Sequence, residues 1–267
     1  MISGKRRLLY GNNVSVTSEF NYSQIPGVRY WLQSKDDSFV TYDGGLIISE
    51  QTDRVLGLRM IATGDVTFFP APTLFANEGA SLFDPTQYLR SVDLATMPSD
   101  DTNGWVIYVT LPAPAVDGEW MWTQGYSFLG GTHMGMKAIA MGGGDFRLAF
   151  DHRAGGGTPN VIRGNTNINT GGTFAFEVQS SGTGWSMRVN NAAETMTVVS
   201  GLNNGDWFGD LLAVDNLSIN RYPNSISDEL GMVQAFGLML IGEGSIQPST
   251  RTLIYEKIAE EYPEIGL

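Results

Sequence analysis

In the stretch "DGEWMW", Asp117 and Glu119 stand two residues apart beside a strand-like run. That spacing puts both carboxylates on one face of a sheet, which is what glycosidic hydrolysis needs. Retaining enzymes hold the nucleophile and the acid/base about 5–5.5 Å apart. Here the next position on the same face is Met121, and Gly118 favours a turn between the two acids. The pair reads as a solvated turn, and no catalytic residue is assigned. His133 and His152 are the only histidines and there is no cysteine, so a zinc site lacks further ligands. "GGTHMGMK" has Met136 after Gly135 where a phosphate loop requires lysine, and no helix signal follows. "SDDTNG" (Asp100, Asp101, Asn103) and "VDNLSIN" (Asp215, Asn216, Asn220) offer fewer oxygens than the six to eight that a hard cation takes, and read as Asx turns. No metal and no cofactor is expected. The aromatics remain. Trp120 and Trp122 share one sheet face, Tyr126 follows closely, and Trp207 lies in the polar run "NNGDWFGD". Sugar rings stack on exposed aromatic faces, which makes these four the candidate carbohydrate-binding residues. For Trp120 and Trp122, a pair inside the core is the competing reading.

Such residues need a frame, and residues 173–200 show its period. Phe174, Phe176 and Val178 alternate with Ala175, Glu177 and Gln179; Trp185, Met187 and Val189 alternate with Ser186, Arg188 and Asn190; Met196 and Val198 resume the pattern. Each run has one apolar and one more polar face, and the Gly and Asn clusters between them supply turns. The stretch predicts an antiparallel meander with one buried face, which another layer must cover. Further strands are expected in "GVRYWLQS", "FVTYDGGLIISEQ", "RVLGLRMIA", "WVIYVTL", "EWMWTQ", "KAIAMG", "DFRLAFDHR", "LLAVDNLSI" and "GMVQAFGLMLIG". A single helix is expected near the C-terminus, capped by Ser249 or Thr250, with an Ile254–Ile258–Tyr262 stripe and a stop at Pro263. It is expected to pack across one edge or end of the sheets.

Net charge is −12, which argues against broad attraction to nucleic acid. The N-terminus has no apolar core of a signal peptide, and "AFGLMLIG" is too short to span a bilayer, so neither a secretory signal nor a membrane segment is expected. Residues 1–27 differ from the rest. Lys5, Arg6 and Arg7 precede Leu8, Leu9 and Tyr10, and this group reads as a docking segment ahead of a domain over 28–267.

The order of segments resembles the concanavalin A-like (laminin G-like) jelly-roll domains found in bacteriophage virion proteins. In "PAPTLFANEGASLFDPTQYLRSVD", Phe83, Asp84 and Leu89 match an F-D-G-x-x-x-L-like strand, with Pro85 in place of the glycine. "GVRYWLQSKDDSF" is similar to the opening segment, "TNGWVIYVTLP" to an inner strand, and "TGWSMRVNNAAET" to the Asn-Gly hairpin, with Asn190 and Asn191 at the turn. The C-terminal strand and helix resemble the closing pair, with Tyr262 at one of two aromatic positions. The resemblance implies an all-β, two-sheet antiparallel jelly-roll sandwich with a C-terminal amphipathic helix. Glucanases of this fold carry a run of alternating carboxylates and its legume-type lectins a Ca²⁺/Mn²⁺ cluster; neither pattern is present. The function it implies is a non-enzymatic structural or accessory virion protein, made in the host cytoplasm, decorating a capsid or tail. Its partners would be other virion proteins or its own oligomer. The alternative is an adhesin for host surface glycans, and a glycan-cleaving enzyme is the remotest reading.

Overall fold

The computed structural model describes residues 20–34, 39–69, 75, 78–91, 102–126, 131–212, 214–222 and 231–267. The docking residues Lys5, Arg6, Arg7, Leu8, Leu9 and Tyr10 lie outside the described residues. The strands run β1 (Val28–Gln33), β2 (Val40–Gly44), β3 (Ile47–Thr52), β4 (Arg59–Thr63), β5 (Thr67–Phe69), β6 (Ala80–Phe83), β7 (Tyr88–Ser91), β8 (Gly104–Ala113) and β9 (Trp120–Gly125). They continue as β10 (His133–Gly142), β11 (Asp145–Arg153), β12 (Asn160–Asn167), β13 (Phe174–Ser180), β14 (Trp185–Val189), β15 (Ala192–Ala193), β16 (Thr197–Ser200), β17 (Asn216–Ile219) and β18 (Val233–Glu243). The helix α1 spans Pro248–Glu261.

Pairing sorts these strands into two antiparallel sheets. The back sheet runs β15–β14–β13–β8–β18, and both β1 and β6 pair with the far edge of β18. The front sheet runs β16–β12–β11–β10–β9–β17–β7–β4–β3–β2. Strand β5 joins them, pairing with β6 along its length and with β3 at Ile47–Thr67. This is the two-sheet antiparallel sandwich that the resemblance implies, and the second sheet is the covering layer that the alternation requires.

Period-two alternation assigns the faces. Val106, Tyr108, Phe176, Val178, Met239 and Ile241 of the back sheet meet Met134, Met136, Leu148, Phe150, Ile162, Leu217 and Ile219 of the front sheet in the main core. The opposite face of the back sheet carries Trp105, Ile107, Val109, Ala175, Leu238 and Leu240, which pack in a second core with Ile254, Tyr255 and Ile258 of α1 and with Tyr262, its C-cap. The molecule is thus three layers thick at this point. The helix stripe is buried as expected, each large side chain contributing about 1.5–3 kcal/mol. Gly237 admits it: a Cβ there would fall 2.8 Å from the Tyr262 ring.

Four expectations need correction. The helix lies on the outer face of the back sheet, not on an edge or end, because that face is itself apolar. It starts at Pro248, whose fixed φ suits a first helical position, with Gln247 as N-cap in place of Ser249 or Thr250. The meander also breaks after β14. Strand β16 leaves the back sheet to pair with β12 of the front sheet, so Val198 is exposed, while Met196, just before β16, still packs against the main core. Finally, the boundary at 27/28 falls inside packed structure. Tyr22 and Ile25 are buried in the helix-side core, and the Tyr22 hydroxyl donates to Glu261 at 2.9 Å.

Candidate functional site

The outer face of the front sheet gathers the polar side chains that the core rejects. On β10, Met134, Met136 and Ala138 point inward, which turns His133, Gly135 and Lys137 outward. On β11, Phe146, Leu148 and Phe150 point inward and Asp151 outward. Gly135 pairs with Asp151 on one side and Thr123 on the other. A Cβ at Gly135 would lie 2.3 Å from the Trp122 carbonyl oxygen, so only glycine fits there. Beyond β17, Asn220 adopts φ 68° and turns the chain back over the sheet, where the Thr123 hydroxyl donates to the Arg221 carbonyl at 2.6 Å. That return places Arg221 and Tyr222 on the outer face.

A fixed cluster results. His133 Nε2 donates to Asp151 Oδ1 at 3.2 Å, which leaves Nδ1 to accept from the Tyr222 hydroxyl at 3.0 Å. Lys137 Nζ donates to Asp151 Oδ2. The Trp120 ring packs edge-on against His133 (5.5 Å between centroids) and lies 5.2 Å from Tyr222 and 4.9 Å from the Lys137 ammonium. Burial presses the Asp151 carboxyl upward, but the His133 hydrogen bond and the Lys137 charge outweigh it and hold it below the usual carboxylate range. The carboxylate is ionised and enclosed. Its role is to lock His133 and Lys137, and through His133 the Tyr222 ring.

Beside this cluster the face opens. Tyr88 and Arg90 lie on β7, both half-buried, and Ile61 of β4 pairs with Arg90 and is exposed. The Arg221 guanidinium carbon sits 4.3 Å above the Tyr88 ring. Together these residues form a strip of aromatic and cationic groups across β4, β7, β9, β10 and β11.

The candidate carbohydrate-binding residues do not form the exposed platform expected of them. Trp122 and Trp207 are completely buried and Trp120 nearly so; Tyr126 is half-buried at the end of β9. Trp122 faces the sandwich interior opposite Met136. Trp207 stacks on Phe150 at 5.8 Å inside the main core, because the polar loop around it turns its one large apolar side chain inward. A ring with both faces packed cannot stack on a sugar. Of the four, only Trp120 belongs to the outer-face cluster. Asp117 and Glu119 do form a turn, accepting from Ala140 N (2.8 Å) and Ala115 N (2.7 Å). Glu119 is buried rather than solvated, however, and burial raises its carboxyl. Asn216 is not in a turn: it is buried at the start of β17, where its side chain donates to Asp215 at 2.6 Å, and among the described residues no group of three His, Asp or Glu is arranged to hold a metal.

His152 lies apart, facing the interior. Its Nε2 donates to the Trp207 carbonyl at 3.2 Å. Burial pushes its pKa down, against the raising influence of the Trp207 hydrogen bond and of Asp206 and Asp210. A base with a depressed folded-state pKa binds protons more readily when unfolded, near pH 6.5, so stability is lost as pH falls through that value. The stability measured by urea denaturation is expected to drop between pH 7 and 5, and less steeply in His152→Gln. An equal slope in both proteins would remove His152 as the cause.

The fold is similar to that of solved β-sandwich domains. The botulinum neurotoxin serotype C1 binding domain is similar at TM-score 0.57 and 10% identity, covering 89% of this chain and 53% of that one. The binding domain of botulinum neurotoxin DC matches at TM-score 0.58 and 8% identity, covering 89% of this chain and 52% of that one. The CBM40 of Ruminococcus gnavus IT-sialidase matches at TM-score 0.51 and 10% identity, covering 65% of this chain and 94% of that one. The chain therefore spans about half the length of the neurotoxin binding domains, at 53% and 52%. No family model matches the chain, and no curated protein matches it.

Proposed function

We propose that the protein is a non-enzymatic glycan-binding module whose ligand lies on the outer face of the front sheet. The observation that carries this reading is the partly open strip of Ile61, Tyr88, Arg90 and Arg221, flanked by the buried Trp120 and Tyr222, which the Asp151–His133–Tyr222 chain holds rigid. Glycan sites combine an apolar ring surface with hydrogen-bond donors whose positions are already fixed. Among the similar structures, the CBM40 is described bound to alpha2,3 sialyllactose and the DC binding domain in complex with SialylT, which supports this reading over a purely structural one. The virion placement rests on the segment order alone, and mass spectrometry of purified particles tests it. A glycan array probed with the purified chain tests the main reading. We expect saccharide hits that Tyr88→Ala removes, with its circular dichroism and melting curve retained. Hits indifferent to Tyr88→Ala would move the site elsewhere, and an array without hits would end the proposal.

A further inference from the structure

We infer that the saccharide taken by this face bears an anionic group, a carboxylate or a sulfate, held by Arg90 and Arg221. The inference rests on the glycan-binding reading and deepens it. The chain is acidic, with 28 Asp and Glu against 16 Lys and Arg. In such a chain a cation ordinarily has a carboxylate beside it. On this face Lys137 has Asp151, Arg147 has Asp145, and Arg59 has Glu50. Arg90, Arg221 and Arg163 differ: among the described residues none of them has an ion pair to a carboxylate, and while Arg163 meets the Met141 sulfur, Arg90 and Arg221 stand beside Tyr88. Arg90 and Arg221 are half-buried, so each is partly withdrawn from water with no counter-charge among the described residues. Like charges gathered on one face raise the local concentration of an anion there, even on a protein of net negative charge.

The position of Arg221 sets its chemistry. A guanidinium is planar and all five of its N–H groups lie in that plane. With its guanidinium carbon 4.3 Å from the centre of the Tyr88 ring, Arg221 is held at that ring, and among the described residues its guanidinium N–H groups donate to no other group. Such a donor set matches two oxygens of a carboxylate or sulfate. Arg90 stands two residues from Tyr88 on the same strand face and supplies a second donor set. Its cross-strand partner Ile61, 41% exposed, offers apolar surface to the sugar ring beside the anion. An acidic saccharide fits this combination better than a bare anion, which would leave the exposed Ile61 uncovered.

The test uses the whole purified chain with four saccharides: sialyllactose, a glucuronate-terminated disaccharide, a sulfated lactose and lactose itself. Titration calorimetry is expected to show an anionic saccharide bound at least about tenfold more tightly than lactose, because charge-assisted hydrogen bonds are the stronger kind. The preference should weaken as salt rises. Arg90→Gln and Arg221→Gln should each reduce it, and together abolish it, with melting temperatures unchanged. Selectivity for the carboxylates or for the sulfate would support the inference equally and identify the group. Equal binding of lactose and the acids, unaltered by the two substitutions, would overturn the anionic inference and leave the glycan reading intact. Failure of the folded chain to bind any of the four, together with an empty array, would overturn both.

Discussion

Replacing Asn220 with aspartate is expected to destabilise the protein by about 3–5 kcal/mol at pH 7, although the two side chains have the same shape. Asn220 is fully buried, and its side chain fills all of its hydrogen-bonding capacity. Its Oδ1 accepts from Met232 N and Gln234 Nε2, both at 2.8 Å, while its Nδ2 donates to the carbonyls of Asp84 and Gln87, both at 3.0 Å. A carboxylate keeps the first two bonds and points an anionic oxygen at the two carbonyls. The buried acid then has a raised pKa in the folded state. An acid of raised folded-state pKa holds its proton better when folded, so its destabilising effect grows as pH rises and relaxes as pH falls. Urea unfolding of both proteins at pH 7 and pH 4.5 checks this: the difference between them should shrink at the lower pH. A difference below about 1 kcal/mol at pH 7 would show that the carbonyls find other donors. Because Asn220 also turns Arg221 and Tyr222 onto the outer face, the variant should lose glycan affinity as well.

The second large effect is expected at the helix. Arg251 Nε donates to both oxygens of Glu177, at 3.0 and 3.1 Å, and its Nη2 reaches Gln179 at 2.7 Å. Glu177 is buried on the helix-covered face of β13. Arg251→Met preserves the apolar stem but leaves that carboxylate enclosed without its cation, a change that costs about 3–5 kcal/mol. Glu177→Gln combined with Arg251→Met should recover much of the loss, since a neutral amide has far less solvation to lose. Thermal melts of the two single variants and the double variant give the coupling directly. Simple additivity would mean that the pair contributes nothing beyond its separate side chains.

Glu177 also shows where reading the chain in one dimension stops. The alternation of Phe174, Phe176 and Val178 located β13 and its inner face, and the Asn190–Asn191 turn appears with φ of 49° and 62°, the left-handed region that a two-residue hairpin turn requires. The intervening Ala175 and Glu177 read as a polar face because period two distinguishes two faces without revealing what covers each. The charge on Glu177 is answered by Arg251, 74 residues later, and no local pattern carries that partnership. The same limit governs the candidate site. Trp120, Trp122 and Trp207 drew attention as large rings, yet residue type does not report depth. The groups that line the outer face were visible only as the polar half of an alternation: His133, Gly135 and Lys137 between Met134, Met136 and Ala138. Tyr88, Arg90 and Arg221 meet through the β4–β7–β17 pairing, and sequence offers nothing that brings residue 221 to residue 88. Strand β12 went unread because "NVIRGNTN" alternates weakly and lies among turn-forming residues.

The position of β18 bears on how the protein is made. This strand lies between β8 on one edge and β1 and β6 on the other, so three segments synthesised long before it await the same partner. On the ribosome, β1 has no edge to join until residues 238–242 have left the exit tunnel. Strands β1, β6 and one edge of β8 must therefore wait without their β18 partner, at the stage when exposed edges associate with the wrong neighbour, while β8, β13, β14 and β15 can already pair with one another. Contacts so distant in sequence also slow the search for the native pairing. Closure of the back sheet is accordingly deferred until β18 is made, and a nascent chain stalled before β18 should be sensitive to protease at β1 and β6.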